Sequence, residues 1–559
     1  MTTLTHILHR NFEDVPERVA VTLLQPRLPD VPITYRRLIQ GAAGYARALQ
    51  EKGIQPGEVV VLVLQHSEAL VYSFFGAILH GAIPSIMPFL TEKLSPERYQ
   101  EDMSALISIT RPAALVTYPD FLPVVTGTLR AGDSVRAVLV SSEVAPVEQP
   151  DFPTLRGYER TPQDVVLLQH SSGTTGLQKG VALAHGAILN QLRSYAAAIH
   201  LSPDDIIVSW LPLYHDMGLI AGFIMPILNQ VPLVLMSPFD WVRAPYRLPQ
   251  AISQYRGTLA WLPNFAYTFC GTKIRERDLQ GLDLSCWRAV INCSEPMRYE
   301  SQQTFLKRFQ PYGFRPEALA TCYAMAENVF AVSQGGMDGP VMVDEIDTRA
   351  FIIDRQAVPA PGGADTTKML SAGKPVANTR VQVVDEKRHP LPDRQIGELA
   401  LQSDCMLTGY YHREDLTQKA FHGGWYLTGD LGYMVAGEVY VVGRKKDLII
   451  VGGKNIYPQD LEMLANQVPG VHPGRAVAFG VYSADIGTEE VVIVAEADTQ
   501  DPDQRQEIAD QVRQRITRGS DVSLRIVQMV DLKWVIKTSS GKLARSANRE
   551  KYIAEFGGV

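Results

Sequence analysis

Cysteine is scarce in this chain. Five residues in 559, Cys270, Cys286, Cys293, Cys322 and Cys405, show neither CxxC spacing nor a paired framework, which argues against a disulfide scaffold and a structural zinc site and points to reduced thiols. Dense runs of Lys and Arg are also missing. The net charge is −7 and the pI near 6.0, so a nucleic-acid partner is not expected. Long apolar runs are missing too. The most apolar stretch, residues 218–236, is broken by Pro226, Asn229, Gln230 and Pro232, and the first twenty residues carry charges where a secretory peptide has an apolar region. A cytoplasmic protein without stable membrane insertion is the expectation.

What is present is ordinary globular composition, 46% hydrophobic and 20% charged, at a length that exceeds one hydrophobic core. Short β-rich runs at 59–64 (VVVLVL), 137–141 (AVLVS) and 165–168 (VVLL) alternate with helical segments such as 186–200, the pattern of an α/β body with buried strands. After about residue 440 the pattern restarts. Pro458 opens a helix, strand-like runs follow at 476–481 and 491–495, and a polar helix covers 507–518. The expected fold is therefore α/β, with a large multi-subdomain body over 1–442, a joint at 443–447 (GRKKD) and a small α+β domain over 448–559.

The strongest local signal is SSGTTGLQKG at 171–180, placed after an apolar strand and before a helical segment. Glycines let backbone N–H groups approach an anion, hydroxyls add donors, and Lys179 adds charge. The spacing is not that of a Walker loop. Taken alone, such a run reads either as a phosphate cradle or as a flexible loop.

The run resembles the phosphate loop of the adenylate-forming superfamily of acyl-CoA synthetases, luciferases and nonribosomal peptide adenylation domains. Further segments follow in that family's order: LPLYHDMGLI at 211–220, TCYAMAEN at 321–328, WYLTGD at 425–430, GRKKDLIIVGGKNIYP at 443–458 and KTSSGK at 537–542. Within the superfamily, YHDMGLI, LPNFAY at 262–267 and NCSEPM at 292–297 look like fatty acyl-AMP ligases. The long stretch between Glu327 and SAGKP at 371–375, including 351–363, resembles the insertion of that branch; the alternative is a variable surface loop.

The resemblance implies activation of a fatty or related carboxylic acid to acyl-AMP with ATP and Mg2+, then transfer to an acyl carrier protein acting in trans. It implies catalytic roles for Lys542, Glu327 and Thr174, with Glu327 as the metal ligand. Ser171, Ser172, Gly173, Thr175, Gly176 and Lys179 would hold phosphates, while Ser294, Glu295, Tyr323, Ala324, Asp430 and Arg444 would hold adenine and ribose. His215, Asp216 and Gly218 border the acyl pocket, and Lys446 stands at the hinge of a mobile C-terminal domain. Ala324 departs from the family's usual glycine in YGxxE, which puts the local backbone geometry in question. Each residue also has a plainer reading: a core tyrosine, a packed histidine, a surface ion pair, a solvated lysine. Two alternative activities share the first half-reaction, an acyl-CoA synthetase and an amino-acid adenylation enzyme in which Asp216 would hold an ammonium. A non-enzymatic scaffold would have lost the charged positions that are all present here.

Overall fold

The computed structural model describes residues 2–88, 96–171, 179–360, 362, 366–447, 449–451, 454–483, 488–520, 522, 524–538 and 541–557. The centre of the chain is a nine-stranded sheet, and its inner strands Val19–Leu23, Leu233–Leu235, Ile207–Ser209, Leu259–Leu262, Ala289–Asn292 and Leu319–Ala324 run parallel. Antiparallel strands Val31–Thr34 and Ala331–Gly335 flank them. A second, all-parallel sheet joins Ile83–Ile86, Val59–Leu62, Ala114–Thr117 and Ala137–Val140. Nearly every residue of its four strands is buried, which is why these strands read as continuous apolar runs.

An antiparallel sheet of Thr379–Val384, Gly397–Ser403, Trp425–Val435 and Glu438–Arg444 follows. In the last third, strands Val471–Ser483, Thr488–Ala497 and Ile526–Val530 form a sheet, with helices Pro458–Asn466, Pro502–Gly519 and Arg545–Phe556. Residues from Ile449 to Met529 build an apolar core of their own. No helix among the described residues is long and apolar enough to cross a membrane.

The helical segment expected after the 171–180 run is present as His185–Ala198, but a strand precedes it: Val165–Ser171 pairs antiparallel with Lys179–Ala184, Ser171 opposite Lys179. Val181, Ala182 and Leu183 are all buried, so the chain enters a strand, and not a helix, at Lys179.

The stretch after Glu327 is ordered where described. Val343–Asp347 pairs with Thr366–Leu370, and a short helical turn Ala350–Asp354 buries Phe351 and lays Ile352 against the C-terminal core. Arg355 then reaches Asp460 in helix Pro458–Asn466 with Nη1–Oδ2 at 2.8 Å, its guanidinium 3.5 Å above the Tyr457 ring. A planar cation stacked on an aromatic while paired to a carboxylate is a firm contact between distant parts of the chain.

Arg355→Ala leaves Asp460 without this counter-charge. Burial holds the Asp460 carboxyl up at about 6 even beside Arg355, against roughly 3.9 when unfolded. A carboxyl raised in this way stabilises the fold fully below its unfolded value and loses that contribution as pH rises through about 6. The substitution is therefore expected to cost about 3 kcal/mol at pH 8 and clearly less at pH 5, where a protonated carboxyl needs no partner. Urea unfolding at both pH values, followed by tryptophan fluorescence, checks this, and an equal cost at the two would contradict it.

Candidate functional site

The carboxyl ends of the inner parallel strands open onto one cavity of about 480 Å³, the position at which open α/β sheets bind ligands. Strand Ile207–Ser209 delivers Trp210, Leu211, Pro212 and, further on, His215 through Gly218, strand Leu259–Leu262 delivers Pro263 and Phe265, strand Ala289–Asn292 delivers Ser294, and strand Leu319–Ala324 delivers Ala324 through Glu327. From outside that sheet come Lys179, Tyr410, Asp430, Arg444 and Lys542, so segments far apart in sequence share one wall.

Asp430 and Arg444 face each other across neighbouring strands, with Nε–Oδ1 at 3.1 Å. The other carboxylate oxygen accepts the Tyr323 hydroxyl at 2.7 Å. Tyr323 is buried at 6% exposure and packs with Val332, Val383 and Leu399. Its hydroxyl reaches the cavity through Asp430, which lines the wall. Ala324 does line the cavity. Its backbone is not in the left-handed region, so no glycine is required where the sequence departs from YGxxE. Ser294 is held at φ 70° and its hydroxyl points toward Met217 Sδ at 3.8 Å.

The sequence places Glu295 at adenine, and the structure turns it elsewhere. Its Oε2 accepts the Phe265 backbone N–H at 2.8 Å, and its Oε1 lies 3.1 Å from where a side chain on Gly541 would begin. Glu295 thus faces the loop that carries Lys542. Gly541 itself sits at φ 87° and its missing Cβ would lie 2.4 Å from the Phe265 ring, a contact that only glycine avoids.

Lys542 lines the cavity at the end of a tight loop: Thr538 N–H bonds the Lys542 carbonyl at 2.7 Å and Lys542 N–H bonds Thr538 Oγ1 at 3.1 Å. Burial, with Arg444 nearby, holds its ammonium below the ordinary lysine range, while Asp216 and Glu295 pull the other way. The same burial and the charge of Lys542 push His215 down to about 3, so at neutral pH its imidazole is uncharged. Asp216 caps the wide helix Met217–Ile224 through the Met217 N–H at 2.8 Å, which gives its carboxylate a structural task, and burial raises its pKa. Gly218 is sterically fixed, since a Cβ there would lie 2.3 Å from the Pro212 carbonyl oxygen.

Glu327 stands in the turn Ala326–Asn328, held by the Leu407 N–H on its carbonyl at 2.8 Å and by the Tyr410 hydroxyl on Oε1 at 3.0 Å. Burial raises its pKa. Lys179 lines the same cavity. Ser172, Gly173, Thr174, Thr175 and Gly176 lie outside the described residues, as does the side chain of Ser171. Lys446 is in the turn Lys445–Asp447, and its side chain also lies outside them.

Several cavity residues carry no motif legible from sequence. Tyr410 sits in LTGYY. Glu398 bonds the Gly429 N–H at 3.1 Å and Lys445 Nζ at 2.9 Å, tying the Asp430 turn to residues 443–447. Trp210 stacks on Trp241 with centroids 3.6 Å apart and Phe265 edge-on to both. Only the strand pairing brings them here, and an aromatic or acidic residue in an apolar run gives no advance notice of it.

The profile described as AMP-binding enzyme matches residues 8–411. A putative ligase of Mycobacterium tuberculosis is 30% identical over 95% of this chain and 96% of its own. The medium-chain-fatty-acid–[acyl-carrier-protein] ligase JamA of Moorena producens is 29% identical over 99% and 95%. A solved structure from work on fatty acyl-adenylate ligases from E. coli and L. pneumophila superposes with a TM-score of 0.88 at 28% identity, covering 99% of this chain and 98% of that one. The fatty acyl-adenylate ligase of L. pneumophila in complex with acyl adenylate and pyrophosphate gives 0.74 at 27% identity, covering 100% and 97%. On a match spanning residues 8–411, the chain belongs to the AMP-binding enzyme family, the adenylate-forming superfamily that its motifs resemble.

Proposed function

We propose that this protein uses ATP to convert a fatty or closely related carboxylic acid to acyl-AMP, releasing pyrophosphate, and passes the acyl group to the phosphopantetheine thiol of an acyl carrier protein acting in trans. The observation that carries the reading is the arrival of Lys542 in the same cavity as the Asp430–Arg444 pair, Glu327 and Lys179. The likeness to a carrier-protein ligase and to a structure holding acyl adenylate and pyrophosphate supports it.

In the first half-reaction a carboxylate oxygen attacks the α-phosphorus as the bond to the β-phosphate oxygen breaks. Two anions have to approach, so the chemistry is chiefly positioning and charge neutralisation. Lys542 supplies a cation that spans the carboxylate and the α-phosphate. Asp430, already oriented by Tyr323 and Arg444, has lone pairs left for ribose hydroxyls. The neutral His215 borders the acid without adding charge, and Trp210, Met217 and Phe265 keep water from the anhydride. In the second half-reaction the thiolate attacks the acyl carbon and AMP leaves.

The family's Mg2+ fits the donor set. A carboxylate on the cavity wall would suit a hard cation that draws its other ligands from water and substrate oxygens. Glu327 is that carboxylate, and a cation beside it would offset the burial that raises its pKa. When bound there, the ion screens the charge on the phosphate oxygens.

We assign residues 1–442 to nucleotide and acid binding, 443–447 to a joint and 448–559 to a domain that turns about it. Arg545, four residues beyond Gly541, grips both Glu462 and Asp447 of the joint, so the Lys542 loop and the joint move together. The Arg355–Asp460 clasp opposes that turn, which favours retention of acyl-AMP once it is formed.

Incubation with ATP, Mg2+ and a panel of fatty acids, each reaction divided between coenzyme A and a phosphopantetheinylated carrier, is expected to give acyl-AMP that persists with coenzyme A and is consumed by the carrier, read by mass spectrometry. Rapid acyl-CoA formation would instead make the protein an acyl-CoA synthetase. Lys542→Ala is expected to slow pyrophosphate release about 100-fold while ATP binding by calorimetry stays within about threefold, since the lysine acts where charge develops. Release within a few-fold of the parent would remove Lys542 from its role.

A further inference from the structure

Tyr410 has none of the roles assigned above, yet it touches two of the residues that do. Strand Gly409–Tyr410 pairs antiparallel with Lys179–Ala184, Tyr410 opposite Val181. The backbone around it is stitched in both directions. Thr408 and Tyr411 donate to the Ala182 and Gly180 carbonyls at 2.9 and 2.8 Å, while Leu407 donates to the Glu327 carbonyl at 2.8 Å. The side chain repeats the bridge. Its hydroxyl lies 3.0 Å from Glu327 Oε1 and 2.9 Å from the Tyr426 hydroxyl, and Lys179 Nζ sits 4.7 Å above its ring.

Each hydroxyl has one proton. With the Tyr410 proton given to the carboxylate, the Tyr426 proton goes to Tyr410, and the order Tyr426, Tyr410, Glu327 follows, each bond polarising the next. Glu327 needs such a hold. Two residues on, Val329 sits at φ 63°, a costly backbone for a β-branched side chain that persists only where its surroundings enforce it. Asn328 Nδ2 on the Ala331 carbonyl at 2.8 Å and the Phe330 N–H on Gln191 at 3.1 Å pin the turn from behind. Tyr410 is the side chain that pins the carboxylate from the front.

We propose that Tyr410 is a positioning residue that fixes Lys179 and Glu327 relative to each other, so that one phosphate chain and its cation meet both at once. This rests on the reading of Lys179 as phosphate-facing and Glu327 as metal-facing. The hydroxyl orients the carboxylate and the ring seats the ammonium, so the two halves of the side chain are separable by substitution.

Tyr410→Phe keeps the ring under Lys179 and removes the hydroxyl, Tyr410→Leu removes both, and Tyr426→Phe removes only the donor to Tyr410. Binding of Mn2+ with a non-hydrolysable ATP analogue, read by electron paramagnetic resonance, is measured beside the KM for ATP in pyrophosphate exchange at saturating metal. Tyr410→Phe is expected to weaken Mn2+ binding about tenfold, the usual effect of losing a partner behind a metal ligand, with the KM for ATP unchanged. Tyr410→Leu should also raise that KM, and Tyr426→Phe should weaken Mn2+ binding by a smaller factor. Mn2+ binding by Tyr410→Phe within twofold of the parent overturns the proposal, as does a KM for ATP that rises equally in the Phe and Leu variants. Should Tyr410→Phe fail to fold, unchanged Mn2+ binding in Tyr426→Phe overturns it instead. A parent protein that makes no acyl-AMP sinks the proposed function and this inference with it, whereas an active parent isolates the question of Tyr410.

Discussion

The constraint on which this structure turns is the concentration of cations in one half-buried cavity. Lys179, Arg444, Lys445 and Lys542 all line it, and like charges brought together out of water repel at an effective dielectric well below that of the solvent. Each has its own counterweight. Arg444 has Asp430 across the strand pair, Lys445 has Glu398, Lys179 has the Tyr410 ring, and Lys542 lies within reach of Asp216 and Glu295. The acids do not cancel the site. They make its positive field tolerable before an anionic ligand arrives, so little reorganisation is left for the moment of reaction.

Holding such a field in place demands backbone that cannot relax. Gly541 passes so close to Phe265 that no side chain fits, Gly218 lies against the Pro212 carbonyl, and Ser294 and Val329 occupy left-handed conformations next to the cavity. All four stand beside residues to which the proposed chemistry gives a role. Strain of this kind survives only where neighbouring hydrogen bonds over-determine it, and the bonds around Asn328, Phe330 and Leu407 do so for the Glu327 turn.

Among the described residues, specific contacts join the C-terminal part to the rest: Arg355 to Asp460, Ile352 against its apolar core, and Glu295 and Phe265 beside Gly541. The segment after Glu327 supplies Ile352 and Arg355 to these contacts, which is how a stretch between two motifs gains influence over a lysine near the end of the chain.

Much of this was legible in the residues themselves. The parallel strands announced themselves as uninterrupted Val, Leu and Ile because both faces of each are covered, and the small C-terminal unit by a restarted pattern opened at Pro458. The signature segments marked Lys179, Glu327, Asp430, Arg444 and Lys542 because glycines and charges at fixed spacing survive translation into geometry. The strand at Lys179–Ala184 was not legible, since a short apolar run between polar residues has no decisive period, whereas the helical segment expected at 186–200 stands at His185–Ala198. The inward turn of Tyr323, the diversion of Glu295 to the Lys542 loop, and the bridge made by Tyr410 were decided only by tertiary structure, because each depends on which atom lies across from it in another strand. Sequence fixes which groups are available; strand register and packing decide which of them share a cavity and which partner each one is given.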